Sequence, residues 1–291
     1  MIHYPPLQEY AERYAALPKE PLEIRLTIYG VFGGYDPLAL DGLLAWCVVH
    51  EATHGRGLPN AEDGYDIPLP LACLWRSHEG FPLWAATQFW PSGHAYDDVS
   101  YYHKKAQRGE WTRTKRGRFT ITNMTGRYVE RRVPMPTHLA NHWVAWCLGN
   151  PEEIARLLEM LTHIGKRRAA GYGEIRQWVI LSASEFSPIR NGVLVRAIPA
   201  AAVPEMEGWP SGIIPAGQPV LVGWTPPLWK PALFAPGWWG GTPVCYVNDE
   251  DDTDGWFHAV DDLDASRYRA GEANTSYGCS SGAAAGREQH R

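Results

Sequence analysis

The stretch from Asn150 to Leu181 constrains the fold most. Asn150 has a side chain suited to capping a helix, and Pro151 has the fixed φ that favours a first helical position. Glu152 and Glu153 complement the positive end of a helix dipole. Apolar residues at 154, 157, 158, 161 and 164 then recur at helical spacing, which predicts a helix over EEIARLLEMLTHI ending at Gly165. After the loop KRRAAGYG, EIRQWVIL (174–181) is β-rich and predicts a strand. A helix and a strand joined by three cations and three glycines is an unusual sequence. The chain's composition excludes a collagen-like chain, a coiled coil and a disulfide miniprotein.

Elsewhere the pattern is mixed. LEIRLTIYG (22–30) alternates apolar and polar residues as a strand does. PLALDGLLAWCVVH (37–50) predicts a helix, with Asp36 as N-cap, Pro37 in its first turn and Asp41 capping or pairing locally. Residues 55–70 are rich in Gly, Pro and Asp and read as loop. RGRFTIT (116–122) and GRYVERRV (126–133) look like the arms of a hairpin, and GVLVRAIP (192–199) like another strand. Strand, helix, strands, helix, strand is the order of an α+β, ferredoxin-like (RRM-like) core. The expected organisation is a leader (1–21), a core (22–200) with a basic β-hairpin insertion (101–133), and an irregular Trp/Pro-rich C-terminal extension (201–247). An acidic tail (248–291) without fold signals completes it and is expected to be disordered. Trp143 and Trp146 read as core, and Trp238-Trp239 as an interface anchor or part of a satellite core.

Composition narrows the function classes. At 45% hydrophobic the 291-residue chain can bury a core, and its fourteen Trp point to stacking surfaces or a rigid aromatic interior. Five cysteines with no CxxC suit a reducing cytosol better than a disulfide framework. MIHYPPLQEY lacks the basic start and apolar core of a secretory signal, and no run of 18 apolar residues predicts a membrane span. The net charge of −5 hides a segregation. Residues 101–133 hold ten Lys/Arg and two Glu, a local +8, interleaved with Tyr101, Tyr102, Trp111, Phe119 and Tyr128. Residues 249–264 hold eight Asp/Glu and no Lys/Arg. Cations that neutralise phosphates, with rings that stack on unpaired bases, suit single-stranded nucleic acid. A solvated hairpin would carry similar charge.

The loop HIGKRRAAGYGEI (163–175) is the strongest binding signal. Gly165, Gly171 and Gly173 permit positive φ and a close backbone approach, while Lys166, Arg167 and Arg168 with exposed N–H groups make a phosphate cradle. Tyr172 would stack on a base or wedge into the core. The loop is neither a Walker A motif nor a dinucleotide fingerprint. A glycine C-cap with cations at the negative helix end explains Gly165 but not GYG before a strand.

THIGKRRAAGYGEI resembles the C-terminal glycine-rich loop of the RAMP superfamily, the RRM-like subunits of CRISPR effector complexes. LALDGLLAWCVVHE (38–51), DIPLPLACLWR (66–76) and GWTPPLWKPALF (223–234) are similar to other signature stretches of one branch. That branch is the type IV subunit that caps the crRNA 5′ handle, the counterpart of the type I handle-binding subunit. The resemblance spans roughly residues 22–235. It implies a ferredoxin-like, non-catalytic subunit that needs no metal or organic cofactor. Its partners would be crRNA, the backbone RAMP subunits, the large subunit and, at the target-flanking motif, DNA. It implies RNA contacts or their supports at Gly165, Lys166, Arg167, Arg168, Gly171, Tyr172 and Gly173. A thumb-like insertion would add Lys104, Lys105, Arg113, Lys115, Arg116 and Arg118.

Two rival chemistries are written in the same sequence. His50-Glu51-Ala52-Thr53-His54 fits HExxH, in which two His bind zinc and the Glu activates water. A third ligand is missing, since position 60 is Asn, and Gly55 and Gly57 stop the helix. Tyr101, Tyr102, His103 and Lys104 are the residue types with which RAMP nucleases cut precursor RNA. On a strand, however, neighbours point to opposite faces.

Overall fold

The structure is a computed structural model describing residues 4–34, 38–59, 64–104, 131–206, 208–228 and 230–246. In chain order the elements begin with α1 (Pro5–Ala16), β1 (Glu20–Tyr29), β2 (Phe32–Gly33) and α2 (Leu40–Ala52). Next come β3 (Cys73–Arg76), β4 (Pro82–Trp84), β5 (Trp90–Pro91), β6 (Tyr96–Lys104), β7 (Arg131–Leu139), β8 (His142–Gly149), α3 (Pro151–Leu158) and β9 (Glu174–Ser182). The C-terminal part holds β10 (Ile189–Arg190), β11 (Val193–Leu194), β12 (Ile198–Pro199), β13 (Ile213–Pro215), β14 (Val220–Gly223), β15 (Phe234–Trp238) and β16 (Val244–Tyr246). The fold is mixed α/β, with three α-helices among the described residues and antiparallel pairing in every described ladder.

The central sheet has the order β5-β8-β1-β9. Alternation in β1 points Leu22, Ile24, Leu26 and Ile28 to one face, where all four are buried. Burying such side chains contributes about 1.5–3 kcal/mol each. Trp143, Ala145 and Cys147 of β8 share that face, as do Ile154, Leu157 and Leu158 of α3 and Leu40, Leu44, Cys47 and Val48 of α2. Asn150 caps α3 as its sequence predicts, accepting from the Glu153 N–H at 2.9 Å. The helix nevertheless stops at Leu158, short of the predicted Gly165.

Several expectations change. The leader contains α1, whose Leu7 and Tyr14 enter the main core. The second helix starts at Leu40 with Ala39 at its N-cap, not at Asp36, and no side chain caps it. The 192–199 strand is broken: Val193–Leu194 pairs with β10 and Ile198–Pro199 with β15. The hairpin arm 131–133 pairs with 102–104, inside a ribbon of nine residue pairs between β6 and β7, and the other expected arm, 116–122, lies outside the described residues. Trp143 and Trp146 point to opposite faces of β8: Trp143 is buried, whereas Trp146 is half-buried on the outer face and donates to Glu23. The extension is not irregular. Its short strands enclose a second core of Leu194, Ile198, Ala202, Met206, Val222, Trp224 and Leu233, joined by Phe81 and Leu83 from the β3–β4 hairpin. The tail from residue 247 onward lies outside the described residues.

Candidate functional site

The glycine-rich loop is a closed lariat. The Ile164 N–H donates to the Gly173 carbonyl, and the Ile175 N–H to that of Thr162, which zips the base of the loop. The Lys166 N–H donates to the Gly33 carbonyl at 2.7 Å and the Gly173 N–H to that of Val31 at 2.8 Å, so the loop is sewn onto the β1–β2 connection. These approaches demand glycine. A Cβ on Gly165 would stand 2.7 Å from the Gly33 oxygen, and one on Gly173 would run into the Ile164 carbonyl. Gly165, Gly171 and Gly173 all have positive φ, and so does Arg167 at 61°. A left-handed non-glycine residue is costly and is held in place by its surroundings.

Between the pinned ends the chain makes a 3-10 turn, Arg168–Ala170, and Lys166, Arg167 and Arg168 are exposed. Arg167 lies over the Tyr102 ring at 4.3 Å and Arg168 over the Trp46 ring at 5.9 Å. Tyr172 is half-buried and its hydroxyl donates to the Ser100 hydroxyl at 3.4 Å. Ser100 and Tyr102 sit two apart on one face of β6, so the loop rests on the root of the basic ribbon. On the opposite face of the ribbon, Arg132 lies over the exposed Tyr101 ring at 3.9 Å. The fold thus sets the glycine-rich loop against Ser100 and Tyr102, at the described start of the basic segment, although the two are far apart in sequence. Lys104 ends β6, while Lys105, Arg113, Lys115, Arg116 and Arg118 lie outside the described residues. Tyr101 and Tyr102 point to opposite faces of β6, and His103 shares the face of Tyr101.

The HExxH stretch is arranged for a different purpose. The helix α2 ends at Ala52, and His54 adopts φ 49°, so His50 and His54 share no helical face. His50 stacks on Trp46 with centroids 4.8 Å apart. Glu51 takes a bidentate pair of hydrogen bonds from Arg156, both at 2.8 Å. Arg156 also donates to Glu153, and Glu153 accepts from Arg13 and Tyr14. This network staples α1, α2 and α3 together. The Arg156 hydrogen bonds hold the Glu51 carboxyl below the usual glutamate range. Burial pushes the Glu153 carboxyl up, but Arg156, Tyr14 and Arg13 together bring it below that range as well.

Sequence reasoning missed a cleft of about 560 Å³ beside the loop. Trp46 and Leu43 line one side, Trp224, Leu228 and Trp239 of the extension another, and Gly165 and Lys166 stand at its rim. Beneath it Arg196, which is 5% exposed, donates to Asp41, 2% exposed, and to the carbonyls of Trp84, Ala86 and Trp224. Burial raises the Asp41 carboxyl above the ordinary aspartate range despite Arg196, and burial lowers Arg196. No local pattern marks Arg196, because its distant partners come from three separate segments, at Asp41, at Trp84 and Ala86, and at Trp224. A wider hollow of about 810 Å³ between α3 and β9 carries Glu152, Glu159 and Glu174 and is less suited to phosphate.

No helix among the described residues is long and apolar enough to cross a membrane. No curated protein matches the chain. The family model for the CRISPR type IV associated protein Csf3 matches residues 20–188, which include the central sheet, the ribbon and the glycine-rich loop. That match covers more than half of the 291 residues, and the chain belongs to the Csf3 family of type IV CRISPR-associated proteins.

Proposed function

We propose that this type IV CRISPR-associated subunit is a non-catalytic crRNA holder that grips the 5′ handle of the guide in the cytoplasm. It would dock against backbone RAMP subunits and the large subunit of an effector complex. One observation carries the reading: an exposed loop with three consecutive cations is pinned by main-chain hydrogen bonds to Val31 and Gly33 and rests through Arg167 and Tyr172 on Tyr102 and Ser100 of a strand that runs into a basic sequence. Cations neutralise phosphates, and Tyr101 with Arg132 over its ring and Trp46 with His50 and Arg168 against its ring combine the cationic and aromatic surface that suits a single strand. Glycine-shaped rigidity lets the backbone approach the strand closely. The sheet order β9-β1-β8-β5, with α2 after β1 and α3 after β8, supports a ferredoxin-like core of the RAMP kind. Tyr102 is occupied under Arg167 and points away from His103, so the cluster at 101–104 favours contact over cleavage.

The test is K166A/R167A/R168A, titrated with repeat-derived RNA at several salt concentrations. Three lost phosphate contacts should lower the slope of log K against log salt by about 2, and affinity at physiological salt by about tenfold or more. Unchanged affinity and slope would remove the loop from the mechanism.

A further inference from the structure

We propose that the outer edge of β9 receives an extended segment of a partner protein, with alternating cationic and apolar side chains, as an added strand of the central sheet. This docking edge is independent of RNA holding by the loop. In the order β5-β8-β1-β9, β9 stands last, paired with β1 from Glu174 to Ser182. On its other edge, among the described residues, only the start is met. His163 bridges to Glu174, and the Ile175 N–H donates to the Thr162 carbonyl at 2.9 Å. The chain itself therefore lays a short strand on this edge and leaves it after Ile175. The remainder, 176–182, spans about 23 Å and presents main-chain donors and acceptors along its length. Edges that must stay unpaired carry charges or proline. Residues 177–182 read QWVILS and carry neither, so this edge is built to be paired.

The groove between α3 and β9 names the chemistry of the occupant. It is lined by Glu174 to Trp178 in succession and by Ile180. Side chains of a strand alternate in direction, so a groove bordered by successive residues follows the strand's backbone edge. The opposite wall is the face of α3 that carries Glu152, Ala155 and Glu159, spaced at i, i+3 and i+7. Glu152, Glu159 and Glu174 make no ion pair among the described residues. Of the cations at the groove, Arg176 lies over the Tyr29 ring at 4.8 Å, and His163 is hydrogen-bonded to Thr162. A Lys or Arg of the added strand lays its alkyl stem over Trp178 and Ile180 and extends its charge to these carboxylates. The alternate side chains fall on the other face of the sheet, beside Val179 and the exposed Leu181, where apolar cross-strand neighbours pair best. Main-chain pairing supplies the affinity, and the acidic wall selects a cationic strand.

The test uses the full chain and a blocked heptapeptide of alternating Lys and Val. At saturation the peptide should slow hydrogen exchange of alternate amides in 176–182 by about fivefold or more. The same peptide with N-methylated valines, which cannot donate to the edge, should leave exchange unchanged. A peptide of alternating Glu and Val should bind at least about tenfold more weakly. E152Q/E159Q/E174Q should weaken the Lys/Val peptide by about tenfold at low salt, as the loss of three exposed ion pairs implies, and added salt should close that gap. No slowing by the Lys/Val peptide up to millimolar concentration overturns the proposal, and so does equal binding of the N-methylated or the Glu/Val peptide. Amides of 176–182 that already exchange slowly in the chain alone, unchanged by peptide, show an edge that is covered without a partner, and overturn it. Protection that grows with protein concentration alone assigns the edge to a second copy of this chain. Protection by repeat-derived RNA but not by peptide assigns it to RNA. Either result overturns the proposal.

Discussion

Two sets of arginines in this molecule do opposite work. Arg196 is buried, donates to Asp41 and to the carbonyls of Trp84, Ala86 and Trp224, and locks the extension onto α2. Arg167 and Arg168 are exposed and lie over the rings of Tyr102 and Trp46. A cation over a ring keeps its N–H donors available at the ring's edge, whereas a cation caged by carbonyls has none left for a ligand. Partners and burial, rather than charge, separate an arginine that holds the fold from one whose donors stay exposed.

The largest expected effect breaks the structural side. Arg196→Ala leaves Asp41 buried without its cation and strips donors from three carbonyls, costing about 3–5 kcal/mol in urea unfolding. R167A/R168A gives up two solvent-exposed cation–ring contacts of about 0.5–1 kcal/mol each and should cost about 1–2 kcal/mol in all. If the two variants lose similar stability, the division between structural and binding arginines fails.

Glycines of the loop sharpen the same contrast. Gly173→Ala meets the Ile164 carbonyl in a left-handed conformation and should cost about 2–4 kcal/mol by thermal or chemical unfolding. Gly171 also has positive φ, but nothing stands within 4 Å of its would-be Cβ. Gly171→Ala should therefore cost only about 1–2 kcal/mol. Equal losses would mean that the close approach at Gly173 does not hold the loop.

The sequence was legible where a local rule is obeyed locally. Asn150 caps α3, β1 alternates along its length, and GYG before β9 has the positive φ that glycine allows. It misled where tertiary contacts decide. Gly165 has the look of a helix C-cap, yet α3 stops seven residues earlier, and that glycine exists for the approach to Gly33. GVLVRAIP looks like one strand, but residues 195–197 separate two short strands and place Arg196 beneath the cleft. The HExxH pattern matched a residue string whose Glu51 is bound to Arg156, more than a hundred positions away. Nothing near Glu51 in the sequence announces that partner.

The smallest effect concerns a third arginine, Arg156, which stands between the two extremes: partly exposed, yet fully engaged by Glu51 and Glu153. Glu51 titrates below the ordinary glutamate value because Arg156 favours its charged form. A depressed carboxyl contributes stability that is complete above the unfolded-state value, near 4.5, and is lost as pH falls through the folded value. Glu51→Gln should therefore cost about 1 kcal/mol or less at neutral pH, the range of a solvent-screened pair. The difference from the unaltered chain should shrink below about pH 4.5 and vanish once both proteins carry an uncharged group there. Asp41 has the opposite sign, since burial raises it and its ionisation works against folding, but it is common to both proteins and cancels in the difference. Urea midpoints between pH 3 and 7 decide the point. A stability gap that stays constant across that range would show that Glu51 packs against Arg156 without electrostatic gain, and would move Arg156 to the purely structural side, with Arg196.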